Sequence, residues 1–221
     1  MLIKYLKYFL LTSFRRQKID RELDKIKFLF KGKILDVGGG RKRGVFTFPH
    51  KASVTVVDVN KKSDPDVVAK VEKLPFKKNF FNVVKATELF EHVKNPERGI
   101  KECIRVLKPK GYFIFSMPFL YPIHADPDDF QRWTNKKIRN VLNQYPVKIK
   151  KFVIQGYYFA VLAEMIKRPI SNWCSATRYL FYFTVFPWLY LLVYFDNKIA
   201  KKFPLLRKYH AGYLIVCQKN Q

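Results

Sequence analysis

The stretch Lys33-Ile34-Leu35-Asp36-Val37, running straight into Gly38-Gly39-Gly40, constrains this chain more than any other feature. The run is too short for a helix and reads as a buried strand. The glycines let the backbone turn tightly and approach a ligand that a Cβ would hold off. An acid just before such a turn can accept hydrogen bonds from a cationic or hydroxylated ligand. By itself a strand with a glycine turn points only weakly to a nucleotide-type cofactor. A second element strengthens it. Ser53–Asp58 is another apolar run, closed by an acid where a doubly wound fold places the group that binds ribose hydroxyls. Asp58 has an ordinary alternative, capping its own turn with Asn60.

From residue 33 to about residue 155, strand-like and helix-like segments alternate, which predicts a doubly wound α/β domain with a mostly parallel sheet. Short strands are expected at Asp66–Ala69 and Phe81–Ala86, and a helix over Asn95–Leu107 with Asn95 as cap and Pro96 at its first position. Lys108-Pro109-Lys110-Gly111 turns into a strand at Tyr112–Met117. Thr134–Tyr145 reads as a helix and Lys148–Gln155 as a sixth strand. Ala211–Gln218 suits a strand that closes the sheet. The domain reading is an N-terminal amphipathic segment (1–30), a cofactor-binding core (31–155), an apolar and basic helical insertion (156–209) and a closing strand (210–221).

Six segments occur in one order: Asp36-Val37-Gly38-Gly39-Gly40, Val57-Asp58, Glu72-Lys73-Leu74-Pro75-Phe76, Phe81-Asn82-Val83-Val84, Glu88-Leu89-Phe90-Glu91-His92-Val93, and Arg105-Val106-Leu107-Lys108-Pro109-Lys110-Gly111. Together they resemble the successive motifs of the type-11 group of class I S-adenosylmethionine-dependent methyltransferases. The resemblance covers about residues 33–118 and implies a Rossmann-like methyltransferase fold, S-adenosylmethionine as cofactor and methyl transfer as the activity. It implies that Asp36, Gly38, Gly39 and Gly40 hold the methionine part of the cofactor and that Asp58 binds the ribose diol. Glu88 and His92 would sit beside the cofactor and the substrate entrance, although His92 could equally be a capping or packing residue. Three positions depart from the family pattern. Lys42 stands where another Gly is usual, Lys70 where an Asp would contact the adenine amino group, and Asn82 where an Asp begins the fourth strand. The rival of the same fold class, an NAD-dependent oxidoreductase, wants G-x-G-x-x-G; positions 38, 40 and 43 read Gly, Gly, Arg.

In open α/β sheets ligands bind beyond the carboxyl ends of the strands, so the loop Pro118–Thr134 faces the reaction centre. Its pattern is similar to methyltransferases linked to surface-glycan or lipid modification. If the acceptor is a hydroxyl or a charged amine, His124 is the first candidate base and His92 the second. Asp128 or Asp129 would orient an imidazole, and Arg132 would bind an anionic group on the acceptor. Alternatively, Asp and Arg pair to hold the loop's own shape. His124, Asp126 and Asp128 are not read as a metal site, because neighbouring carboxylates are ordinary in loops.

Charge and hydropathy bear on partners. Lys and Arg number 43 against 17 Asp and Glu, a formal net charge of +26. Such an excess attracts polyanions such as nucleic acid or anionic lipid, or is a Lys-rich bias spread over a solvated surface. Tyr179–Phe195 carries no formal charge, contains Pro187, and is flanked by Arg178 and Lys198–Lys202. It is slightly short for a spanning helix. It fits a segment lying at an anionic membrane surface, with a buried hairpin and a true span as alternatives. Leu2, Leu6, Phe9 and Leu10 share one helical face; Lys4 and Lys7 interrupt that run, so it does not read as a signal peptide. Cys103, Cys174 and Cys217 form no metal or disulfide pattern, which suits a reducing, cytoplasmic setting. The expected acceptor is a small molecule, or a glycan- or lipid-linked group at the membrane surface. An RNA-directed methyltransferase and a non-catalytic binding protein on the same scaffold are the alternatives.

Overall fold

The structure, a computed structural model, describes Tyr8 and residues 12–39, 46–124, 128–170 and 175–221, with the side chains at 175, 176, 178 and 179 excepted. Gly40, the basic turn Arg41-Lys42-Arg43, the apolar face of Leu2, Leu6, Phe9 and Leu10, Asp126 and Cys174 lie outside the described residues. The chain divides into two compact units.

The larger unit comprises residues 20–119, 123–153 and 213–221. Its strands are β1 (Lys33–Val37), β2 (Ser53–Asp58), β3 (Val67–Val68), β4 (Phe81–Ala86), β5 (Leu107–Pro118), β6 (Val147–Ile154) and β7 (Gly212–Lys219). They form one sheet in the order β3-β2-β1-β4-β5-β7-β6. The pairs β1–β2, β1–β4, β2–β3 and β4–β5 are parallel. The chain winds outward from β1 to β3 and then returns to lay β4 on the other side of β1. Between β1 and β4 the winding reverses, and there an open sheet leaves a crevice at its carboxyl edge. Ile34, Leu35, Val83, Val84, Phe113, Ile114 and Phe115 are all buried, as expected for parallel strands covered on both faces.

Helices run through the chain as α1 (Phe14–Lys25), α2 (Pro96–Val106), α3 (Asn135–Leu142), α4 (Tyr158–Ile170), α5 (Ser175–Thr184) and α6 (Phe186–Lys202). In α2, Ile100, Cys103 and Ile104 fall on one stripe and are buried. Pro96 starts the helix as expected, but Asn95 makes no side-chain cap bond. Thr134 does cap α3, accepting from the Lys137 amide at 3.2 Å. The fifth strand begins earlier than its aromatic run suggests. Lys110 adopts a left-handed φ of 61° and the β4–β5 register shifts between Phe81 and Val83, so the turn-like Lys108–Gly111 is absorbed as an irregularity inside β5.

The smaller unit comprises residues 1–19, 120–122 and 154–212. Its described core holds Phe14, Ala163, Ile170, Phe181, Tyr182, Phe186 and Leu189. Asp196 of α6 is buried and accepts the amides of Tyr157, Phe159 and Ala160, capping the start of α4 from a distant part of the chain. Burial pushes its carboxyl above the usual range, and those three amides partly offset the rise. The apolar run Tyr179–Phe195 is two helices, not one. The break falls at Val185, and Pro187 occupies the first turn of α6, where its missing N–H costs nothing. Among the described residues no helix is long and apolar enough to cross a membrane.

Candidate cofactor cleft and acceptor loop

A cleft of about 360 Å³ opens at the carboxyl ends of β1, β2 and β4, a volume suited to a small-molecule cofactor. Val37, Gly38, Asp58, Lys70, Glu88 and His92 are among its lining residues. Gly38 has φ of +69°, and a Cβ there would fall 2.7 Å from Leu89 Cδ1. Only glycine fits this turn without strain. A Cβ at Gly39 would fall inside the Asp36 carboxylate. The glycines therefore make room both for a ligand and for Asp36.

Asp36 itself turns to Lys85. Its Oδ1 accepts from Lys85 Nζ at 2.7 Å, and both side chains are buried. The two residues are register partners across β1 and β4. Asp36 is not among the residues lining the cleft. Within the sheet its carboxylate is therefore engaged by Lys85, beneath the turn. Lys85 is absent from the sequence-based site, although a lysine inside the buried run Phe81–Ala86 is a signal that a buried acid awaits it.

Asp58 stands at the end of β2 and lines the cleft. Its Oδ1 accepts the Asn60 amide at 2.8 Å. It caps its own turn and lines the cleft, so the turn bond does not exclude the other reading of this residue. Glu88 comes just after β4 with a left-handed φ of 57°, uncommon for a residue with a Cβ. Its amide donates to Ser116 Oγ at 2.9 Å, and that hydroxyl donates back to Glu88 Oε1 at 2.6 Å. Ser116 on β5 thereby holds Glu88 at the cleft in a conformation that its surroundings must enforce.

The cleft's far wall, with Lys70, Val71 and Glu72, is tied down by Arg105. Its guanidinium donates to the carbonyls of Phe76 (2.9 Å) and Leu74 (3.0 Å) and to Glu102, which in turn accepts the Leu74 amide. This pairing holds Glu102 below the usual carboxylate range. The Glu72–Phe76 and Arg105–Gly111 segments, which in the sequence are only ordered motifs, are thus two sides of one brace. Asn82 has nothing to do with the cleft: its Oδ1 accepts from the Lys33 amide at 3.1 Å.

The acceptor loop is stitched to the segment after β4. Phe130 N–H donates to Glu91 O at 2.8 Å, and Gln131 Nε2 donates to Val93 O at 2.8 Å. This brings the candidate bases together, with the His92 and His124 rings 5.0 Å apart and edge to face. Asp128 reaches His92 through its backbone carbonyl, which meets Nδ1, not through its carboxylate. Asp129 is the acid that orients an imidazole: its Oδ2 accepts the His124 amide at 3.0 Å and lies 3.4 Å from His124 Nδ1. Arg132 forks onto both Asp129 oxygens and holds that carboxyl down at about 2. In this conformation Arg132 serves the loop's shape, and an anionic acceptor would have to compete with Asp129 for it.

Residues 35–115, from β1 to β5, match the family model described as a methyltransferase domain, type 11. This core is similar to methyltransferase domains. The uncharacterized protein MJ1252 of Methanocaldococcus jannaschii is 36% identical over 99 residues, 44% of this chain and 38% of that protein. The chain thus matches well under half the length of this curated relative. Two solved structures share the fold. A SAM-dependent methyltransferase from Archaeoglobus fulgidus superposes with a TM-score of 0.54 at 15% identity, covering 99% of this chain and 100% of that one. The [4+2]-cyclase SpnF superposes with a TM-score of 0.55 at 15% identity, covering 91% and 80%. The methyltransferase fold therefore hosts more than one chemistry, and activity must be argued from the site. S-adenosylmethionine is the cofactor of methyltransferase domains of this kind, and the cleft fits it: a glycine turn with no room for a Cβ, an acid at the end of β2 in its lining, and sufficient volume.

Proposed function

We propose that the protein transfers the methyl group of S-adenosylmethionine to a hydroxyl-bearing small molecule, or to a glycan- or lipid-linked acceptor, at a membrane surface. The observation that carries the reaction is the cleft itself, with Gly38, Asp58 and Glu88 arranged around one cofactor-sized space at the sheet's switch point. The cofactor supplies an electrophilic methyl on a sulfonium. Gly38 would lie against its methionine part and Asp58 would take the ribose diol, with Glu88 and His92 at the acceptor side. The protein's task is mainly positioning, since in-line displacement needs the acceptor oxygen, the methyl carbon and the sulfur aligned.

The surface placement rests on the smaller unit. Phe183 is 80% exposed and Trp188 69%, with Leu180, Tyr194, Phe203 and Leu205 also open to solvent. Lys198, Lys201 and Lys202 lie further along α6 and suit anionic headgroups. Exposed aromatics beside lysines are what an interfacial helix presents to a bilayer.

Two measurements test this reading. Calorimetric titration with S-adenosylhomocysteine should give one site per chain in the micromolar range; no heat at millimolar ligand would defeat it. Flotation with anionic liposomes should carry the protein upward, and the double variant Phe183→Ser, Trp188→Ser should stay at the bottom. Equal flotation of both proteins would remove these helices from the explanation.

A further inference from the structure

We infer that Glu91, His92 and His124 form a binding site for one divalent transition-metal ion at the acceptor side of the methyltransferase cleft. Each offers a ligand atom, and the three atoms lie within 4.8 Å of one another. Metal–nitrogen bonds of about 2.0–2.1 Å set ligand atoms roughly 3.4 Å apart around a tetrahedral ion. The cluster thus needs a closure of about an ångström, which His124, carried on a loop, can supply.

The surroundings of the two imidazoles argue for ligation more strongly than the cluster alone. His92 Nδ1 meets the backbone carbonyl of Asp128, so that nitrogen carries the proton and Nε2 keeps its lone pair. Nε2 is the atom that faces Glu91 Oε1, at 3.9 Å. His124 Nδ1 lies 3.4 Å from the Asp129 carboxylate, itself anchored by Arg132. Metal-binding histidines commonly have one ring nitrogen held by a carbonyl or carboxylate, which fixes the tautomer and aims the other nitrogen at the ion. Both histidines have that support here, from two different kinds of acceptor. Glu91 is fully buried, which holds its carboxylate in place beside His92.

The cluster adjoins the cleft because His92 belongs to both. Two histidines and one carboxylate leave coordination positions open for an acceptor's oxygen. This deepens the proposed methyl transfer and rests on it for the role of the ion, though not for its binding. A metal-bound hydroxyl loses its proton more readily. That proton leaves to solvent through the open cleft, and the oxygen's electron pair forms the bond to the methyl carbon. The carbon–sulfur pair stays on sulfur, giving a methyl ether and S-adenosylhomocysteine. Such a role displaces His124 and His92 as general bases, because a ligated imidazole has no free lone pair.

The test is titration of the tag-free, chelator-treated full chain with Co²⁺ alone, monitored by its visible d–d absorption. One Co²⁺ should bind per chain, with the strong bands of a four- or five-coordinate ion. His124→Ala should weaken binding by about 100-fold, and Asp129→Asn, which keeps every ligand but loosens one, by roughly 10-fold. Thermal melts establish that each variant is folded, and the wild-type spectrum stands without them. No Co²⁺ bound at millimolar concentration, or equal binding by His124→Ala, overturns the site. Titrating S-adenosylhomocysteine into the same samples separates the two claims. Metal binding without cofactor binding leaves the site standing and defeats methyl transfer, whereas cofactor binding without metal removes the site alone.

Discussion

Asp36→Ala should destabilise the core by about 3–5 kcal/mol, and adding Lys85→Met should recover most of that loss. The reason is the buried pair at 2.7 Å joining β1 to β4. Removing the acid strands an ammonium group inside the sheet without its partner. Removing both charges and placing a methionine of similar length in the same space leaves an apolar interior, a change that is often neutral or favourable. Urea unfolding of wild type, both single variants and the double variant gives the coupling energy directly. The double variant should also bind S-adenosylhomocysteine within about tenfold of wild type, because Asp36 shapes the glycine turn from beneath and does not line the cleft. A well-folded double variant that has lost binding altogether would place Asp36 in direct cofactor contact, as the family resemblance implies. A double variant as unstable as Asp36→Ala would mean that the pair is not what holds the strands.

The second large effect is expected at Asp58. A carboxylate accepting both ribose hydroxyls makes two charge-assisted bonds of about 1.5–3 kcal/mol each, so Asp58→Ala should weaken S-adenosylhomocysteine binding by about 100-fold or more. Stability should fall by only about 1 kcal/mol, the worth of the bond to the Asn60 amide. A 2′,3′-dideoxy analogue of the ligand provides the control. Wild type should bind it far more weakly than the parent compound, and the variant should bind the two alike. If the variant keeps wild-type affinity for the parent ligand, Asp58 is a turn cap and nothing more.

Much of the core was legible because its elements are encoded locally. β1, β2 and β4 have the bounds expected from their apolar runs. Their membership of a mostly parallel sheet follows from the alternation of strand-like and helix-like segments. Gly38 and Asp58 could be placed in a cleft because each sits at or one residue beyond the end of a strand, and the strand's direction fixes so short a reach. The acceptor loop was legible in content and not in arrangement. Its Asp, His and Arg residues are recognisable as candidates, yet which acid serves which imidazole depends on how the loop docks on Glu91–Val93. Asp129 takes the place open to Asp128, and Arg132 is drawn to Asp129. The Tyr179–Phe195 run misleads about continuity, because hydropathy averages over a break that backbone geometry at Val185 decides.

The sequence by itself determined the fold class and the resemblance to methyltransferase domains, since both depend on short segments whose chemistry and order survive being read in one dimension. Tertiary structure alone decided the Asp36–Lys85 pair and the meeting of Glu91 and His92 with His124. Residues far apart along the chain acquire a shared environment only when strand register and loop docking set them side by side. Burial then gives their charges and lone pairs a strength that water would have screened.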